Sequence, residues 1–99
     1  MIKRRFDSVF YGEKFKNLLN KYKVKRIALF GSYALGRSTR KSDLDFLVEF
    51  HKGASLFDVV GLKLDLENLL EKKVDIATPK SLSRYIHREV LEQAVYLYE

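Results

Sequence analysis

The chain has 99 residues, 46% of them hydrophobic, and its 19 Lys and Arg outnumber 13 Asp and Glu for a net charge of +6. That length holds one domain, read as 1–99, and leaves no room for a catalytic domain beside a separate recognition domain. Cysteine is absent, which excludes disulfides, thiolate metal sites and a cysteine nucleophile.

His51 and His87 stand 36 positions apart, and neither has a metal-ligand spacing. No apolar run approaches the roughly 18–20 residues that span a bilayer, so no membrane contact is expected. The basic start Met1-Ile2-Lys3-Arg4-Arg5-Phe6 lacks a following apolar segment and does not read as a secretory signal. The expected location is a reducing cytoplasm. The excess charge is local: residues 1–26 hold nine basic and two acidic residues, against ten and eleven in 27–99. A basic arm and helix over 1–24 therefore precede a core over 25–99. Such a run is either a solvated helix face or a contact for nucleic acid or an acidic partner. No interleaved aromatics accompany it, and nucleic acid is not expected as a direct ligand.

Phe15, Leu18, Leu19 and Tyr22 recur at three- and four-residue intervals and predict a helix over about Glu13–Tyr22. Val24 and Ile27-Ala28-Leu29-Phe30, stopped by Gly31, predict a buried strand. A short helical turn follows. The next strand runs through Leu44–Phe50, with Leu44, Phe46, Val48 and Phe50 on one face and Asp43, Asp45, Leu47 and Glu49 on the other. Lys52-Gly53 makes a turn. Ser55 and Asp58 read as a capping box opening a helix with Val59, Leu62, Leu66, Leu69 and Leu70 as its apolar stripe. That helix is expected to end near Lys72-Lys73, cations suited to its carboxyl end. Val74-Asp75-Ile76-Ala77 is a third strand, ended by Thr78-Pro79. A last helix is expected from about Leu82 to Tyr98, with Ile86, Val90 or Leu91, Ala94 or Val95 and Tyr98 inward. Any exposed part of its apolar face is a candidate surface for a partner or a second copy. The sum is a layered α/β domain on a small sheet.

The chemistry concentrates between Gly31 and Asp45. A glycine after a buried strand lets the backbone turn sharply and approach a ligand. Ser32 adds a hydroxyl, and the turn after it offers free amides to an anion. Asp43 and Asp45, two apart on a strand, project together and repel unless a hard cation such as Mg²⁺ joins them. Asp75, in the middle of a buried-looking strand, is costly unless paired or metal-bound. Pairing with Arg37, Arg40, Lys41 or Lys73 would explain each acid singly. Together with the Gly-Ser turn, the three suggest two metals beside a bound triphosphate.

Gly31-Ser32, ten residues, then Asp43-Leu44-Asp45 resembles the signature of the polymerase-beta-type nucleotidyltransferase superfamily. The short chain and the carboxy-terminal Leu91–Tyr98 resemble its minimal nucleotidyltransferase branch. The resemblance implies a mixed sheet with helices against it, and transfer of a nucleoside monophosphate from an NTP to a hydroxyl. It implies Gly31 and Ser32 as nucleotide-binding residues holding the β- and γ-phosphates. It implies Asp43, Asp45 and Asp75 as catalytic residues and as ligands of Mg²⁺, two ions per site. Leu35 departs from the pattern, since many relatives carry Arg there. The branch pairs with all-helical HEPN proteins, often ribonuclease toxins. The implied role is thus an antitoxin that transfers AMP from ATP to a tyrosine of that partner. The alternative is an antitoxin that binds and occludes its partner without catalysis.

Overall fold

The computed structural model describes residues 7–31, 43–81, 92 and 94–98. Two helices, α1 (Asp7–Phe10) and α2 (Glu13–Lys21), lead into strands β1 (Val24–Phe30) and β2 (Leu44–Phe50). Helix α3 (Leu56–Leu70) then connects to β3 (Val74–Ala77), and β4 (Val95–Tyr98) closes the described chain. The strands form one sheet in the order β3-β2-β1-β4. β1 runs antiparallel to β2 and β4, while β2 and β3 are parallel, so the sheet is mixed. A parallel pair cannot be joined by a tight turn, and α3 supplies the crossover.

The core lies between one face of the sheet and the helices. Phe15 and Leu19 of α2, and Leu62, Leu66 and Leu70 of α3, recur every four residues and are buried. They meet the alternating Leu44, Phe46 and Val48 of β2, with Val24, Ile27 and Leu29 of β1 and Val74 of β3. Phe10 of α1 seals one end, 5.3 Å from the Phe15 ring and edge-on to Phe46 at 6.2 Å. The turn after β2 contains Gly53 at φ +96°, a conformation suited to glycine. The capping box is present at the start of α3, where the Asp58 carboxylate accepts the Ser55 amide at 2.8 Å.

Three expectations change. β4 is a strand, not the end of a helix: Val95, Tyr96 and Tyr98 pair with Leu29, Ala28 and Ile27. Leu97 packs on the core while Tyr96 and Tyr98 face outward, a period of two. Of the rest of the expected last helix, Glu92 is helical, while residues 82–91, with Ile86, His87, Val90 and Leu91, lie outside the described residues, as does the turn between β1 and β2. Second, α3 stops at Leu70 because Glu71 adopts a left-handed conformation, φ 54°. Lys72 and Lys73 lie past it, and no basic residue sits in its last turn. Third, Leu47, grouped with the polar face, is buried. Among the described residues, no helix is long and apolar enough to cross a membrane.

Candidate active site

Sheet register brings the acids together. Antiparallel pairing sets Phe30 opposite Asp45, and parallel pairing sets Asp45 beside Asp75. In-register neighbours project to one face from strands about 4.8 Å apart. Because Leu44, Phe46 and Val74 point to the helices, Asp45 and Asp75 stand on the opposite face. Asp43 immediately precedes β2 and is exposed. Asp75 is also exposed, which corrects the reading of it as a buried acid: β3 is an edge strand of the described sheet, and only its Val74 is fully enclosed.

Asp45 is the half-buried member. Its burial first, then the charges of Asp75 and Asp43, raise its carboxyl above the ordinary carboxylate range. The described ion pairs run elsewhere, from Lys21 to Asp65 and from Lys25 and Arg26 to Glu49. Among the described residues, no cation neutralises the trio. Arg37, Arg40 and Lys41 lie outside them.

Gly31 closes the back of this site. It follows β1 at φ +75°, and a Cβ built on it would lie 2.5 Å from Asp45 Oδ2. Two independent constraints, backbone conformation and space, therefore require glycine. Ser32 lies outside the described residues.

Three carboxylates, with the charges of two helping to raise the carboxyl of Asp45, are a donor set for a hard divalent cation. Among the described residues they do not alone close a three-ligand cage. A pair of them suffices for Mg²⁺, which takes one or two carboxylates and fills its remaining positions with water and substrate phosphate.

The sequence reading did not find the polar contact between α2 and α3. Tyr22, read as part of an apolar stripe, donates its hydroxyl to Asp65, and Lys21 stands 3.6 Å from the same carboxylate. Gly61 makes room for it, since a Cβ there would overlap the Tyr22 ring. A glycine inside the leucine-rich α3 was the available signal.

Residues 13–97 match the family described as the nucleotidyltransferase domain. The chain belongs to the nucleotidyltransferase-domain family. Among relatives of this nucleotidyltransferase is MJ0435 of Methanocaldococcus jannaschii, described as a candidate protein adenylyltransferase. It is 45% identical over 78 residues, 79% of this chain and 84% of the relative. The protein adenylyltransferase MntA of Thermococcus cleftensis is 38% identical over 82 residues, 83% of each chain. Among solved structures, a candidate minimal nucleotidyltransferase superposes with a TM-score of 0.75 at 38% identity, covering 84% of this chain and 85% of that one. A toxin–antitoxin structure with AMP-PNP gives 0.70 at 30% identity, covering 86% and 70%. A Shewanella oneidensis complex of tri-AMPylated HEPN toxin with MNT antitoxin gives 0.62 at 26% identity, covering 86% and 66%. The nucleotidyltransferase domain therefore has the fold of these minimal members.

Proposed function

We propose that this nucleotidyltransferase is a protein adenylyltransferase. It moves AMP from ATP, with Mg²⁺, to a tyrosine hydroxyl on a HEPN-type helical partner, and acts as that partner's antitoxin in the cytoplasm. The observation that carries the reading is Asp45 in register with Asp75, with Asp43 beside them and Gly31 packed behind. The named adenylyltransferase relatives and the complex of an antitoxin with an AMPylated toxin support the acceptor class.

In this reading Asp43 and Asp45 would hold the metal, and Asp75 would complete its acceptor side. When bound, Mg²⁺ neutralises the triphosphate and the charge growing on departing pyrophosphate. Gly31 lets the backbone come close to the β- and γ-phosphates, with the Ser32 hydroxyl as a further donor. Asp75, exposed on β3, is open to a protein acceptor, and it takes the proton of the attacking hydroxyl. A bond forms between that oxygen and the α-phosphorus, the α–β bridging bond breaks, and pyrophosphate leaves. Positioning of the two substrates supplies much of the rate.

The test is label transfer from ATP labelled on the α-phosphate, with Mg²⁺ and source-cell lysate. A labelled protein band absent with γ-labelled ATP is expected. Its formation should fall at least about 100-fold in the Asp43→Asn/Asp45→Asn double variant. Absence of Mg²⁺-dependent transfer by a folded chain that still binds and silences its partner would replace catalysis with occlusion.

A further inference from the structure

Helix α3 is apolar on two sides. Its inner leucines join the core, yet Leu56, Phe57, Val60 and Leu64 are 75%, 88%, 47% and 54% exposed on its outer side. Leu56, Val60 and Leu64 are spaced by four and form one ridge, with Phe57 beside it. Scattered exposed leucines need no explanation, but a contiguous patch does. A helix apolar on opposite sides has the pattern of one covered on both.

We propose that this outer ridge is the interface of a symmetric homodimer, and that its occupant is α3 of a second copy of this chain. The ridge is self-complementary. Val60, the smallest and least exposed of the four, lies at its middle, with a leucine four residues to either side. A two-fold axis at Val60 sets the two valines together and lays Leu56 and Phe57 of each copy against Leu64 of the other, ridge into groove. The four side chains leave on the order of 450 Å² of apolar surface open, at the scale of the largest patches on monomers. The smallest stable dimers bury roughly 600 Å² per partner, most of which this ridge would supply. α3 also lies across the sheet from Asp45 and Asp75, so pairing through it leaves both acidic faces open. The proposal therefore stands whatever the acceptor of the nucleotide is.

Sedimentation equilibrium in the micromolar range tests it. Wild-type protein is expected at twice the 11.6 kDa protomer mass. Val60→Glu and Val60→Lys place like charges on the axis and are each expected at the protomer mass, with circular dichroism unchanged. Mixing the two folded variants in equal amounts is expected to restore the dimer, because opposite charges then meet. A wild-type chain of protomer mass throughout that range would overturn the proposal and leave the ridge to a different protein. Folded variants that remain dimeric, or a mixture that stays monomeric, would overturn the contact at Val60.

Discussion

Asp45 sits where three requirements conflict. Its backbone must pair with β1 and β3, its carboxylate is half-buried against Gly31, and two further carboxylates crowd it. A carboxyl raised in the folded state destabilises the fold once it ionises. The penalty is absent below the unfolded-state value near 3.8 and complete above the folded-state one. Asp45→Asn should therefore stabilise the nucleotide-free protein at neutral pH while abolishing transfer. Because solvent screens the site, the gain should be small, a rise of a few degrees at most in Tm for a domain this size. Thermal melts at pH 7 and at pH 4 check it, since the gain should shrink as pH falls toward the ordinary carboxylate range. An unchanged or lowered Tm at pH 7 would contradict the account. A residue that weakens the fold and serves the reaction is the signature of a functional position.

At the scale of elements, α2, α3 and the first three strands were legible because apolar spacing within each is unambiguous. β4 was not. Val95-Tyr96-Leu97-Tyr98 is apolar throughout, so four residues do not distinguish a period of two from 3.6. Its strand character comes from pairing with β1, far away in sequence. The candidate site divides the same way. Each acid could be placed on or beside a strand, but the register of Asp45 with Asp75 and the exposure of Asp75 belong to the assembled sheet. Gly61 shows how packing overrides propensity. Ala is the better helix former by about 1 kcal/mol, yet its methyl group would displace the Tyr22 ring and the bond to Asp65. Gly61→Ala should cost about 1–2 kcal/mol net in urea denaturation. A gain in stability would mean that Tyr22 moves aside freely.

At the scale of the whole molecule, one thin core holds everything in place. Leu66 is fully buried between α3 and the sheet, and Leu66→Ala should cost about 2–5 kcal/mol. That is a large share of the roughly 5–15 kcal/mol available to a small domain. Its urea midpoint should fall far below that of Asp45→Asn, and transfer should recover under conditions that restore folding. The outer position of β3 has a further consequence. Among the described residues this four-residue strand borders one neighbour only, its Val74 alone is fully enclosed, and Asp75 comes next in the chain. Sub-global opening starts at such edges. Fraying of β3 from Ala77 inward would carry Asp75 away from Asp45 while β1, β2 and the helices kept their amide protection. Loss of catalytic competence on warming would then precede loss of the folded state.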